Sequence, residues 1–287
     1  MTDSPLPATP SPKTALERRI AEWIRPKLPF LAAEFLTFGL KQAWACLYAG
    51  VMLAMIMGTK LFWKPEWVLA RYDFLTIAAV LIQFLLLRLK LETPREALVI
   101  LIYHVVGTIM EIFKTAMGSW AYPEPSLIRI GGVPLFTGFM YACVGSYMVR
   151  AIRIFDMRFE PYPAFWLTAV LAGAIYLNFF GHHYTLDLRY PLMAATLLLF
   201  FRTRIHFTPH ARTYWMPLPL AALLTAFFLW VAENIGTFTG TWLYPSQKTW
   251  HLVGFSKMGS WYLLLFLSFV LVTLVHRPRG RDPSGLP

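Results

Sequence analysis

The chain has 287 residues, of which 57% are hydrophobic, 16% aromatic and 14% charged. Soluble domains average about 45–50% apolar and about 25% charged residues, so this composition excludes an ordinary soluble protein and points to a membrane. The net charge of +11 comes without a basic run long enough for nucleic acid, so it is read as the cationic flanks of apolar helices, and no nucleic-acid partner is expected.

Residues 1–13 are polar and proline-rich, lack the apolar core of a signal peptide, and are expected to be a disordered tail. Residues 14–35 read as an amphipathic interfacial segment. Ala15, Leu16, Ile20, Trp23 and Ile24 share one face, opposite Glu17, Arg18, Arg19, Glu22 and Arg25. Apolar segments then recur near 37–58, 74–91, 97–117, 133–151, 164–181, 189–203, 217–238 and 258–276. A span needs about 20 residues, so the fold class is an all-α polytopic membrane bundle of about eight transmembrane helices, with 189–203 the weakest. Thr93-Pro94-Arg95-Glu96 reads as a capping box with proline in the first helical position, and Thr208-Pro209 occupies the matching place later in the chain.

The cations sort by side. With a cytoplasmic N-terminus, 17 of the 26 Lys and Arg fall on the inside and 8 outside, Lys41 lying within the first span. Excess Lys and Arg mark the cytoplasmic face, so both termini are expected inside, with 277–287 a basic cytoplasmic tail. The expected location is the bacterial inner membrane, multi-pass, with lipid bilayer as the partner. Nothing in the sequence bears on the oligomeric state.

Self-similarity organises the rest. Residues 111–123, EIFKTAMGSWAYP, align with 233–245, ENIGTFTGTWLYP, as E-x3-T-x2-G-[ST]-W-x-Y-P. Arg71-Tyr72 corresponds to Arg189-Tyr190, and Gly132 to Gly254. The chain is therefore read as two parallel four-helix repeats, 36–158 and 159–276, related by an axis along the membrane normal. Gly118 and Gly240 are expected to end their helices in the left-handed conformation. Glu111 and Glu233, seven residues earlier, then lie roughly 10 Å deeper along the helix axis, where an ionisable group is costly unless protonated, paired or hydrated.

These glutamates are the candidate catalytic acid–base pair, with His104 as a third candidate. The alternative is a structural role in helix packing. Thr115 and Thr237 share the glutamates' helical face. Trp120, Tyr122, Trp242 and Tyr244 are candidate substrate-binding rings, the alternative being anchors at the outer interface. Lys257 and Lys114 are the expected counter-ions. His182, His183 and Asp187 could ligate a metal but match no metal signature and are read as polar interface residues; Asn178 is read as a helix–helix hydrogen-bonding residue. Cys46 and Cys143 form no CxxC pair and are read as core residues. No metal or other cofactor is expected.

On the paired E-x3-T-x2-G-[ST]-W-x-Y-P segments the sequence resembles the bacterial membrane family called domain of unknown function 817, over roughly 30–276. That resemblance implies a fold and no activity. A second resemblance, to the lycopene cyclase domain and carotenoid hydratase groups, rests on a membrane glutamate before a Gly-x-aromatic stretch and on Val133-Pro134-Leu135. It implies an isoprenoid substrate, with Glu111 or Glu233 protonating a double bond. Three readings stay open. The first is a membrane-embedded enzyme or binder of an apolar isoprenoid or lipid ligand. The second is a proton-linked transporter of a small solute or ion, against which neither half carries a sequence sign of a broken helix. The third is a non-catalytic scaffold.

Overall fold

A computed structural model describes residues 29–245 and 251–275, the side chains of Arg95 and Val275 excepted. The tails expected at 1–13 and 277–287, and most of the interfacial segment at 14–35, lie outside the described residues. In chain order the helices are α1 (Phe30–Ala45), α2 (Leu47–Phe62), α3 (Arg71–Arg88), α4 (Pro94–Ala116), α5 (Phe136–Ile154), α6 (Phe165–Gly181), α7 (Arg189–Phe200), α8 (Leu218–Phe238) and α9 (Ser256–Val275). Each apolar segment read from the sequence coincides with one of these helices, except that the first is divided between α1 and α2.

Helices α4, α8 and α9 are each long and apolar enough to cross a membrane, and α1 with α2 adds a fourth if the pair is one span. The pair meets at Cys46 with a bend of 65°. This corrects the expectation of unbroken helices; with no proline between residues 30 and 62, the kink lacks its commonest cause. Charges at the ends lower the hydropathy of α3, with Arg71, Asp73 and Arg88, and of α5, with Arg150 and Arg153. Large apolar side chains face outward along the bundle, among them Phe35, Leu61, Phe84, Leu198 and Phe228. So much exposed apolar helix surface suits hydrocarbon surroundings rather than water.

Two helices organise the packing. α5 lies against α1, α2, α3 and most extensively α4, while α9 lies against α6, α7 and α8, and α5 and α9 touch each other. The connections after α2, α4, α6 and α8 gather at one end of the bundle. There Arg71 reaches Glu124 at 2.6 Å and Lys114 reaches His183 at 2.8 Å. The connections after α3, α5 and α7 gather at the other end, where Arg153 meets Glu96 at 2.9 Å. Arg150 and Glu92 form an ion pair there with both side chains 1% exposed.

The capping box at α4 forms both of its bonds: Glu96 N donates to Thr93 Oγ1 at 3.3 Å and Thr93 N to Glu96 Oε2 at 2.7 Å. Thr208 does not open a helix. It sits between β4 (Arg204–Phe207) and β5 (Tyr214–Pro217), which join β3 (Arg158–Glu160) in an antiparallel sheet. α8 starts ten residues later, at Leu218, where Pro217 and Pro219 preset the first turn. A two-residue ladder, Arg129–Ile130 with Val133–Pro134, leads into α5.

Candidate functional site

The site is built at the C-termini of α4 and α8. Gly118 and Gly240 take φ of +68° and +65°, which only glycine adopts cheaply. Each helix closes with the paired bonds of a Schellman cap. Ser119 N donates to Lys114 O at 2.9 Å and Thr241 N to Gly236 O at 3.0 Å.

The reversal turns the following Trp-x-Tyr back along the helix that has just ended. Trp120 Nε1 donates to Glu111 Oε2 at 2.7 Å, and the Tyr122 hydroxyl donates to the same oxygen. Trp242 Nε1 and Tyr244 OH donate to Glu233 Oε1, each at 2.7 Å. α5 supplies a further donor to Glu111, Tyr141 OH at 2.9 Å from Oε1, and on α9 the side chain of Trp261 approaches Glu233. The four motif rings therefore hold their polar atoms on buried carboxylates instead of pointing them to an outer interface, which corrects the anchor alternative.

The two motifs also bind each other. Ala121 N donates to Leu243 O at 2.9 Å and Leu243 N to Ala121 O at 3.0 Å, and Trp120 lies edge-on to Tyr244 with centroids 6.0 Å apart. Arg71 locks the assembly from beneath. It is 4% exposed, and its guanidinium reaches Thr59 Oγ1 at 3.0 Å and Thr241 Oγ1 at 2.9 Å, as well as Glu124. Sequence reasoning found Arg71 only as a repeat match; its role emerges from three elements that meet in space.

Both glutamates line one cavity of about 930 Å³. Its wall is overwhelmingly apolar, running past Leu53, Val144, Leu229 and Phe266 to Phe159 and Phe207 near the opposite end. The charged groups cluster at the motif end, where Trp120, Tyr122, Trp242, Tyr244 and Lys257 join the glutamates, while Gln42, Tyr147 and Thr225 are polar side chains farther along the wall. Lys257 Nζ stands over the Tyr244 ring at 4.3 Å and the Trp120 ring at 5.7 Å.

Of the two expected counter-ions, Lys257 lies within electrostatic reach of Glu233, whereas Lys114 turns to the histidines. Among the described residues neither Lys114 nor Lys257 forms an ion pair with a glutamate. Aromatic donors fill that role instead, because indole and phenol hydrogens satisfy carboxylate oxygens without a neighbouring charge.

His104 is separated from the pair. Its ring packs on Phe139 at 4.1 Å, its Nδ1 is buried without a partner, and it faces the α4–α5 contact rather than the cavity. Thr115 Oγ1 is likewise buried without a partner, and Thr237 Oγ1 donates back to Asn234 O at 3.1 Å; neither threonine lines the cavity. Asn178 serves a loop rather than a neighbouring helix: its Oδ1 accepts from Leu188 N at 2.9 Å. Among the described residues no cluster of three or more His, Cys, Asp and Glu side chains has metal-binding geometry. Tyr141 and Trp261 escaped the sequence reading. Each is the sixth residue of its helix, α5 and α9, but their separation differs from the motif offset, which hid that signal.

The family described as "Protein of unknown function (DUF817)" matches residues 34–269. A Bacillus subtilis (strain 168) protein, "Uncharacterized protein YoaT", is 41% identical over 252 residues, 88% of this chain and 95% of that one. Among solved structures, a cross-linked MvINS trimer matches with a TM-score of 0.47 and 12% identity, covering 66% of this chain and 98% of its own. With a match from residue 34 to residue 269 and a relative sharing two residues in five along almost its whole length, the chain belongs to the DUF817 family, whose function is not established.

Proposed function

We propose that this protein is a multi-pass membrane protein that holds an isoprenoid or other lipid in the cavity between its halves and acts on it with the glutamate pair. The observation that carries the reading is that Glu111 and Glu233, from separate motifs, line one large apolar cavity. Ligand sites are concave, mostly apolar and furnished with a few convergent polar groups, and intramembrane acids default to function.

The finer topology belongs to the same proposal. The bent α1–α2 pair and the seven other helices make eight crossings, with both termini cytoplasmic. The alternation of connections between the two ends supports this, as does the surplus of Lys and Arg on one side. The equivalent places of α5 and α9, and the reciprocal pairing of the motifs, support two parallel four-helix repeats.

In the chemistry proposed, a protonated Glu111 or Glu233 gives its proton to a carbon–carbon double bond. The π pair forms the new C–H bond and leaves a cation on the other carbon. The faces of Trp120, Tyr122, Trp242 and Tyr244 stabilise that charge. The other glutamate removes a proton from an adjacent carbon, restoring a double bond. The net change is a shifted double bond, or a ring if the π pair of a second double bond in the same chain closes onto the cation before the proton is lost, with no oxidant consumed. His104, turned away from the cavity, has no part in this scheme.

Mass spectrometry of small molecules that co-purify in gentle detergent is the first test, and a bound polyene or lipid is the expected result. Glu111→Gln and Glu233→Gln should then reduce turnover of that molecule by about 10²–10⁴-fold, the usual worth of general acid–base catalysis, while the protein still folds. Normal product formation by both variants removes the acid role and leaves the scaffold reading.

One observation favours a second reading, proton-linked transport of a small solute. The α1–α2 break falls at Cys46, which lines the cavity, and broken helices mark transporter sites. Flux into proteoliposomes that depends on pH and on Glu111 would select it.

A further inference from the structure

The polar end of the cavity holds cations that the carboxylate chemistry does not use. Lys114 is 3% exposed and lines the cavity, yet among the described residues no carboxylate lies within ion-pairing reach of it. Its Nζ instead stands 2.8 Å from His183 Nε2, 3.2 Å from His182 Nε2 and 4.4 Å from the centre of the Phe179 ring. An imidazole nitrogen can accept from an ammonium but cancels none of its charge, and an unpaired buried charge is costly to keep.

Two further cations share the wall. Lys257 stands over the Tyr244 and Trp120 rings and feels the charge of Glu233 without touching it, and Arg189 divides its guanidinium between Asp187 at 3.2 Å and Ser256 O at 3.4 Å. Lys114, Lys257 and Arg189 are close enough to repel one another. Against these three stands Asp187, together with glutamates whose oxygens are already engaged by indole and phenol donors. Lys114 also stands at the motif position that α8 fills with Gly236, so one motif alone projects a cation into the cavity.

We infer that the cationic end of the cavity takes the anionic head, phosphate or carboxylate, of a single-chain amphiphile whose hydrocarbon tail lies along the apolar wall. The inference rests on the lipid reading above and narrows its ligand class. It also separates the two jobs at that end: Lys114, Lys257 and Arg189 hold the head, and the glutamates face the chain.

The test uses the purified full chain in detergent, titrated separately with hexadecyl phosphate, palmitate, hexadecanol and inorganic phosphate. Binding is read from the thermal unfolding midpoint and from tryptophan fluorescence. Hexadecyl phosphate or palmitate is expected to bind at least about tenfold more tightly than hexadecanol, a difference of about 1.4 kcal/mol, and the stronger of the two identifies the head. Lys114→Gln and Lys257→Gln should each remove most of that preference and leave hexadecanol binding unchanged, while Lys114→Arg keeps it. Should the buried Lys114→Gln fail to fold, Lys257→Gln decides alone.

Equal binding of hexadecanol and both anionic chains overturns the inference, as does a preference untouched by either lysine variant. Inorganic phosphate binding as tightly as hexadecyl phosphate also overturns it, by assigning the cations to a free anion. Repeating the titration with Glu111→Gln and Glu233→Gln separates this inference from the catalytic reading. Glutamate-dependent turnover of a neutral polyene without anion preference sinks this inference only. Anion preference with turnover unaffected by both glutamines sinks the acid–base chemistry only.

Discussion

The carboxylate clamps at Glu111 and Glu233 share a plan and differ in detail. Each has a glutamate, a left-handed glycine, and a Trp and a Tyr folded back onto the acid. Glu111 gains a phenol donor from α5, Tyr141, where Glu233 has the bulkier Trp261 from α9. Beneath Trp242, Gly236 leaves room for an indole that any Cβ there would overlap, whereas the first clamp puts Lys114 at that position and sends it to the histidines. The arginines that open α3 and α7 diverge as well: Arg71 is sealed among the motifs, while Arg189 faces the cavity. The shared parts hold the motifs together, and the unshared parts give the cavity its charged, unequal end. Two matched motifs can therefore share the same hydrogen-bond donors while the positions between those donors carry different chemistry.

This comparison can be strained most severely at the acids. Glu111→Ala strands two phenol hydrogens and one indole hydrogen in a buried place. At about 1–3 kcal/mol for each group left unsatisfied, and with some rehydration from the cavity, a loss on the order of 3 kcal/mol is expected. Glu233→Ala strands Trp242 and Tyr244 and gives up only the looser approach of Trp261, so it should cost less, about 2 kcal/mol. Denaturation midpoints in detergent check the order, and a larger loss at Glu233 would show that the third donor on Glu111 is idle.

Exchanging the asymmetric pair comes next. Gly236→Lys forces the Trp242 ring out of its seat and should cost about 2–3 kcal/mol. Lys114→Gly removes a buried cation and should cost no more than the helix propensity difference of about 1 kcal/mol. Equal losses would mean that Trp242 can move aside freely. A smaller effect is expected from Tyr141→Phe, which deletes one donor while the ring stays in place, at about 1 kcal/mol.

The mildest prediction concerns the connection before α7. Partial burial pushes the Asp187 carboxyl up, but the Arg189 amide, the Arg189 guanidinium and Asn178 outweigh it and hold the group below its ordinary value. A depressed carboxyl contributes stability above its unfolded value of about 3.9, and that contribution disappears as pH falls through the lower folded value. Stability should therefore decline slightly more below pH about 4 in the native protein than in Asp187→Asn. Leu69 precedes Arg71 by two residues as Asp187 precedes Arg189, so the connection before α3 has no counterpart of this carboxyl.

Much of the fold was legible because it is locally encoded. Apolar runs located the helices, Thr93 and Glu96 announced the start of α4, and Gly118 and Gly240 announced the left-handed ends. Other features were not legible because neighbours decide them. His104 and Thr108 sit on the same helix as Glu111, yet they pack where α4 meets α5 at Gly138. Thr208 looked like a helix start until β4 and β5 claimed its surroundings.

By itself, the sequence determined the membrane character, the two matched motifs and the helical caps, because composition and backbone preference act over a few residues. Only the tertiary structure decided that Trp120, Tyr122, Trp242 and Tyr244 turn inward to the acids, that Lys114 leaves them for two histidines, and that Glu111 and Glu233 line one cavity. Those outcomes depend on which distant donor or charge comes within about 3 Å, and spacing along a chain does not carry that distance.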